Sequence, residues 1–181
     1  ELGDFYTPGF HVHPAYVRES CEEIAFMHGR GVRLMGELVP YMHGWGSFSD
    51  KSWDQILDTA EQYGMVCSYH TPFDYDCKKM IDRHPGMTFV AAHPGDRQRA
   101  EHIELLQSCP NLCLDLSGTG LHRFGMLKRL VGQVGADRLL FGTDYPICNP
   151  RMYVQAVYGE ELRPVDREMI FHGNAERILG V

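Results

Sequence analysis

The sequence lacks long apolar runs, low-complexity stretches and any block of basic residues. No run approaches the roughly 18–20 apolar residues that a membrane span requires. The first residues, Glu-Leu-Gly-Asp-Phe, have neither the basic nor the apolar part of a signal peptide. Lys and Arg number 17 against 24 Asp and Glu, which gives a net charge of −7. This balance, with no basic block to offset it, disfavours a phosphate-backbone footprint, although a small nucleic-acid substrate held through a metal stays open. We expect no membrane partner, because no apolar run is long enough to span one.

The cysteines do not form a recognisable disulfide or structural zinc pattern. Six are scattered through the chain, and Cys109 and Cys113 stand four apart with no second cysteine or histidine pair to complete a zinc site. A chain of 181 residues is also long enough to fold without disulfide bonds. These features predict reduced, mostly packed cysteines in a cytoplasmic protein.

A regular alternation of segments gives the fold class. Six apolar, β-rich segments predict strands at residues 9–13, 32–39, 65–70, 88–93, 112–116 and 138–142. Helical periodicity is present at residues 20–27, 52–63, 101–106, 126–134 and 167–179. Ser20 and Glu23 have the spacing of a capping box at the start of the first helix. In the second helix, Trp53, Ile56, Leu57 and Ala60 share one face.

This alternation predicts βα units around a parallel sheet, in one domain that spans residues 1–181. The number of strands alone fits either an open flavodoxin-like sheet or part of a barrel. The length is short for a complete (β/α)8 barrel, which needs at least about 200 residues.

Ionisable residues end four of the six predicted strands. They are Glu37, His70, His93 and Asp144. In parallel α/β folds the carboxyl ends of the strands carry the chemistry, because the loops there converge on one face. Imidazole nitrogen with carboxylate oxygen is a donor set suited to Zn, Fe, Mn or Co. The strand ends therefore predict a catalytic metal site.

Motifs at these strand ends resemble those of the amidohydrolase superfamily. The most specific are Gly-Thr-Asp-Tyr-Pro and the final Asn-Ala-Glu-Arg-Ile-Leu, with Ser-Tyr-His-Thr, Ala-Ala-His-Pro-Gly and Leu-Asp-Leu-Ser-Gly in support. The closest resemblance is to the amidohydrolase-related group that includes aminocarboxymuconate-semialdehyde decarboxylase. The resemblance implies a (β/α)8 TIM-type barrel, here incomplete, in which the six segments are strands three to eight.

The resemblance also implies roles for individual residues. His70 corresponds to the metal-binding histidine after strand five. His93 corresponds to the strand-six histidine, which binds metal or acts on the substrate. Asp144 corresponds to the strand-eight aspartate, which is a metal ligand and proton acceptor. Gly36 and Glu37 resemble the Gly-Glu of TatD-type nucleases, in which the glutamate contacts the metals.

The sequence departs from the family pattern at the His-x-His pair that ends strand one. His11 and His13 have the required spacing, but their surroundings look like strand three running into strand four. We therefore leave open whether they bind metal. We expect strands one and two, with the His-x-His pair, to precede Glu1, so that the chain is truncated at its N-terminus.

The resulting functional prediction is a metal-dependent hydrolase acting on a small-molecule amide, ester or lactone. Zinc is the expected metal, with Mn, Fe and Co as alternatives. His43, Trp45 and Arg123 follow strands on the same predicted face and are candidate substrate-binding residues. The alternatives are a nonhydrolytic decarboxylase of the same superfamily, a TatD-like phosphodiesterase, a noncatalytic barrel module, or an inactive fragment that works only within an oligomer. The expected partner is a small-molecule substrate, and we leave a homo-oligomer open.

Overall fold

Six short parallel strands make up the sheet in a computed structural model, which describes residues 6–71, 74–94 and 99–181. The strands follow one another in chain order. Their bounds are β1 Gly9–Phe10, β2 Leu34–Leu38, β3 Val66–Tyr69, β4 Thr88–Ala92, β5 Leu112–Asp115 and β6 Leu139–Leu140. Each lies inside a segment that the sequence assigns to a strand. The predicted alternation is therefore confirmed, with strands shorter than expected.

Helices fill most of the chain between these strands. They are α1 Val17–Gly29, α2 Pro40–His43, α3 Lys51–Gln62, α4 Asp74–Arg83, α5 Arg99–Ser108, α6 Met126–Val134, α7 Pro150–Tyr158, α8 Pro164–Glu168 and α9 Asn174–Leu179. The sequence did not predict α2, α4 or α7. Within the described parts of the chain, none of these helices has the length and apolar character needed to cross a bilayer.

The first half of the chain, up to Phe89, is one compact unit. Strand β2 pairs in parallel with β1 and with β3, and helix α3 packs against α1. The predicted face of α3 is buried, with Trp53, Ile56, Leu57 and Ala60 all at most 2% exposed. Burial of each of the larger apolar side chains on this face stabilises the folded state by about 1.5–3 kcal/mol.

The predicted capping box at the start of α1 is wrong. The helix begins at Val17, so Ser20 lies inside its first turn instead of at its cap. The buried Ser20 hydroxyl donates to the His13 carbonyl and accepts a hydrogen bond from the His13 N–H. Ser20 therefore fastens the segment after β1 to the helix, an interaction across seven residues that a local capping pattern does not reveal.

The second half of the chain, from Val90, is the other compact unit. Strand β5 pairs in parallel with β6, and α5 packs against α6. The buried Asn174 side chain donates to two backbone carbonyls, those of Ala136 (2.7 Å) and Leu139 (2.8 Å). These bonds attach the C-terminal helices to the start of β6. The sequence predicts one helix over residues 167–179, whereas a π-helical turn at Met169–Gly173 separates α8 from α9.

Candidate active site

The Glu37 carboxylate and the His70 imidazole form a close pair in the first unit. Glu37 lies near the carboxyl end of β2, and His70 directly follows β3. The His70 N–H donates to the Leu38 carbonyl at 2.8 Å, which fixes the two strand ends in register. Glu37 Oε1 lies 3.0 Å from His70 Nδ1, and both side chains are about one-third exposed, at 32% and 29%. These two sequence-predicted residues thus share one partly solvated position.

Tyr41 is a third member of this group that the sequence analysis did not select. It lies on the short helix α2, which begins at Pro40, one residue beyond the end of β2. Its hydroxyl is 3.5 Å from His70 Nε2, and the two rings meet edge to face with centroids 5.5 Å apart. The motif Gly-Glu-Leu-Val-Pro-Tyr contains this tyrosine, but its contact with His70 depends on the turn that Pro40 starts.

The second unit contains the other two predicted residues, His93 and Asp144, and they also lie close together. His93 directly follows β4, and its backbone N–H donates to the backbone carbonyl of Asp115 at 3.1 Å. Its Nε2 lies 3.9 Å from Asp144 Oδ2. The His93 side chain is 12% exposed and that of Asp144 is 27% exposed. A carboxylate and an imidazole so placed can exchange a proton through one intervening group or share a cation.

A partly buried hydrogen-bonded group, Ser117 with Asp115, contacts His93, and the sequence analysis missed it. Ser117 Oγ is 3.1 Å from His93 Nδ1 and makes a short hydrogen bond to Asp115 Oδ2. The Ser117 N–H also donates to Asp115 Oδ1, at 3.0 Å. Both residues belong to the motif Leu-Asp-Leu-Ser-Gly. That motif supported the family resemblance, but no role in the site was attached to it.

Tyr153 of α7 binds the backbone at Gly118, the residue that follows Ser117. Its hydroxyl donates to the Gly118 carbonyl and lies 3.5 Å from Cys148 Sγ. Burial raises the pKa of the Tyr153 phenol, and its hydrogen bond to Cys148 raises that pKa further. Tyr153 therefore stays a neutral donor at physiological pH and stabilises the turn that carries Gly118.

The first unit has a pocket of about 660 Å³. Two predicted substrate-binding residues, His43 and Trp45, line it together with His11 and His13. The His43 and Trp45 rings stack with centroids 4.6 Å apart, and the His13 ring meets Trp45 edge-on at 5.0 Å. His43 ends helix α2 instead of lying on an open loop. His13 Nδ1 accepts a hydrogen bond from the Ala15 N–H, so that nitrogen is not offered to a metal.

Arg123, the third predicted substrate-binding residue, lies in the turns between β5 and α6. Its side chain is exposed, and its N–H donates to the Gly120 carbonyl at 3.2 Å. A substrate-binding role for Arg123 stays a prediction.

Parallel βα units with carboxylate and imidazole groups paired at the strand ends define a class of α/β-barrel proteins that carry their chemistry at that face. The chain belongs to the amidohydrolase family, because the sequence model of that family matches residues 6–181. No curated protein sequence matches the chain.

Solved structures with the same fold identify it as an incomplete TIM-type barrel. An uncharacterized TIM-barrel protein from Bordetella bronchiseptica matches with a TM-score of 0.83 and 22% identity, over 99% of this chain and 69% of that one. The 5-carboxyvanillate decarboxylase of Sphingomonas paucimobilis matches with a TM-score of 0.72 and 15% identity, over 94% and 65%. A zinc-bound amidohydrolase from Burkholderia multivorans matches with a TM-score of 0.61 and 21% identity, over 73% and 58%. The chain thus spans only part of the length of each.

Proposed function

We propose that the protein is a metal-dependent hydrolase that attacks a small-molecule amide, ester or lactone with water. The observation that carries this proposal is the pair formed by His93 Nε2 and Asp144 Oδ2, 3.9 Å apart and largely shielded from solvent. Hydrolysis needs a base for the attacking water and a group that orients the substrate, and this pair offers both. The net charge of −7 favours a small molecule over a nucleic acid as substrate.

The donor types suit a divalent metal, and from the pattern of strand ends in the sequence we propose Glu37, His70, His93 and Asp144 as metal ligands. In the first unit, Glu37 Oε1 and His70 Nδ1 are 3.0 Å apart, within about half an ångström of the roughly 3.4 Å between neighbouring donors around a tetrahedral ion with bonds of about 2.1 Å. Zinc is the proposed metal because it accepts both donor types, and the Burkholderia multivorans amidohydrolase contains zinc. A bound divalent ion would supply Lewis acidity that lowers the pKa of water toward about 7.

The protein's own residues would handle the proton and the substrate. Asp144 Oδ2 takes a proton from the attacking water and later returns it to the leaving group. His93 orients the substrate oxygen and stabilises the charge that develops on it. Tyr41, with its hydroxyl 3.5 Å from His70 Nε2, steadies the His70 ring.

The pocket lined by His43 and Trp45 is our proposed place for the part of the substrate that does not react. Its aromatic walls provide apolar area together with polar ring edges, a combination typical of small-molecule sites. We expect Trp45→Ala to raise KM more than it lowers kcat, because this contact binds substrate and transition state alike.

A decarboxylase is the second candidate, favoured by the likeness to the decarboxylase of Sphingomonas paucimobilis. The same groups would serve both reactions, since Asp144 could instead deliver a proton to the carbon that loses carbon dioxide. The reaction can be assigned by running a panel of aryl esters, lactones, amides and carboxylated phenols in H₂¹⁸O. We expect ¹⁸O in the acid product without release of carbon dioxide; the converse result would replace the hydrolase by the decarboxylase.

Metal content tests the site directly. We expect the purified protein to contain a constant number of zinc ions per chain. Chelation should abolish its activity, and added zinc should restore that activity. His70→Ala should weaken zinc binding by at least about 10–100-fold, whereas His122→Ala, which removes an exposed histidine, should not change it. Full activity after chelation, or wild-type turnover by Asp144→Asn beside an unaffected Asp82→Asn control, would refute the proposal.

A further inference from the structure

The hydrogen bonds of Ser117 determine which nitrogen of His93 carries the proton. Ser117 is 4% exposed, and its single hydroxyl oxygen contacts both Asp115 Oδ2 and His93 Nδ1. A carboxylate only accepts hydrogen bonds, so the one hydroxyl proton is directed to Asp115. The Ser117 oxygen then accepts from His93, and that contact requires a proton on Nδ1. In the neutral ring, Nε2 is left with a lone pair.

The surroundings hold this arrangement with little freedom. The Asp115 carboxylate also accepts from the Ser117 N–H at 3.0 Å, so serine and aspartate are joined twice. A Cβ on Gly118 would lie 2.6 Å from both Cε1 and Cγ of His93, so the backbone lies against the face of the ring. A Cβ on Gly142 would likewise lie 3.0 Å from the Ser117 Cβ. Two glycines thus pack the group tightly on both sides.

The other side of His93 then presents an electrostatic problem. Its Nε2 lone pair is 3.9 Å from Asp144 Oδ2, itself an acceptor. Two acceptors that face each other repel unless a cation or a hydrogen-bond donor lies between them. The Nδ1–H form of His93 therefore makes this gap attractive to a metal ion. Histidines that bind metals commonly donate their second N–H to a neighbouring acceptor in this manner.

We propose that Ser117, supported by Asp115, is a positioning residue that holds His93 as the Nδ1–H tautomer and presents the Nε2 lone pair toward Asp144. This inference rests on the proposed metal-dependent function for its purpose, but the tautomer itself does not depend on any metal. The two can therefore be tested separately on the same protein.

The test is nitrogen NMR on the metal-free protein with ¹⁵N-labelled histidine at pH 8, where an ordinary histidine is neutral (pKa about 6.5). Long-range ¹H–¹⁵N correlations distinguish the two tautomers, and His93→Gln assigns the His93 signals. We expect wild-type His93 to carry its proton on Nδ1. A proton on Nε2, or on both nitrogens, would overturn the inference without any need for a variant.

Variants then test whether Ser117 is the cause. Ser117→Ala should shift His93 toward the Nε2–H tautomer and weaken zinc binding about 10–100-fold, whereas Ser117→Thr should restore both properties. Ser20→Ala is the matched control, because Ser20 is also buried and also makes two hydrogen bonds, but with the backbone of His13. It should cost stability and leave His93 unchanged. An unchanged tautomer in Ser117→Ala would refute the role.

The zinc measurement separates this inference from the proposed function. If wild-type protein binds no zinc while His93 is in the Nδ1–H form, the metal-dependent function fails and the positioning role of Ser117 stands. If zinc binds tightly to wild type and to Ser117→Ala alike, the site stands and the positioning role fails.

Discussion

Replacing Gly118 by alanine tests the close packing around His93 without removing any polar group. Gly118 has a φ of +65°, and a Cβ placed there would overlap the His93 ring. Gly125, seven residues further on, has a φ of +81° with no atom within 4 Å of the position of its Cβ. The two glycines therefore share the backbone requirement and differ in the space available, so Gly125→Ala is the matched control.

The expected magnitudes follow from these two terms. An L-residue in the left-handed region costs about 1–2 kcal/mol relative to glycine, and both variants incur this cost. Gly118→Ala must in addition displace the His93 ring, and overpacking of this kind typically costs about 1–3 kcal/mol. We therefore expect Gly118→Ala to lower the free energy of unfolding by about 1–3 kcal/mol more than Gly125→Ala does.

Urea denaturation followed by circular dichroism gives both free energies of unfolding by linear extrapolation. The His93 signals in the ¹⁵N spectrum should also move in Gly118→Ala and stay in place in Gly125→Ala. Equal losses of stability in the two variants, with an unmoved His93 ring, would show that the backbone at Gly118 does not lie against the imidazole. The account of a tightly held His93 would then be wrong.

Three further predictions concern single residues elsewhere. Asn174→Ala should lower the free energy of unfolding by about 1–3 kcal/mol, because two backbone carbonyls lose a buried donor; urea denaturation measures this, and a neutral effect would contradict it. The carboxylates of Glu168 and then Glu176 raise the pKa of His172, so NMR titration should find this pKa above the ordinary 6.5 and lower in Glu168→Gln than in wild type. The stabilising effect of protonated His172 should be complete below pH 6.5 and should be lost as the pH rises through the raised pKa. Burial raises the pKa of Cys67 to about 12, so a thiol reagent at pH 8 should label half-exposed Cys21 and reach Cys67 only after unfolding.

The fold was largely predictable because its signals are local. Apolar segments marked all six strands, and periodicity marked the buried face of α3. For α6 the predicted residues 126–134 agree with the observed helix Met126–Val134. The short helix α2 was not predicted, because its four residues are too few to show helical periodicity. The proline at its start is also common in loops.

The candidate site was predictable only as far as single positions allow. The ends of strands identified Glu37, His70, His93 and Asp144 as groups of metal-binding type, but not which pairs lie close together within each unit. Ser117 and His93 are 24 residues apart, and the contact between them depends on where β4 and β5 end. A serine within an ordinary strand-end motif carries no sign of such a partner.

The backbone at the two most important candidates adds an argument that does not depend on metal chemistry. Among the residues that the structure describes, His93 (φ 70°) and Asp144 (φ 57°) are the non-glycine residues with positive φ. The left-handed region costs an L-residue about 1–2 kcal/mol, with aspartate among the residues that tolerate it best. A glycine would adopt either conformation without strain, as Gly118 does at 65°.

Residues held in such conformations cluster where the side chain has a function that outweighs the cost. The chain keeps an imidazole at one of these positions and a carboxylate at the other, and Nε2 of the first lies 3.9 Å from Oδ2 of the second. Selection for stability alone would favour glycine at both, so the strain itself points to His93 and Asp144 as the pair on which the proposed chemistry depends.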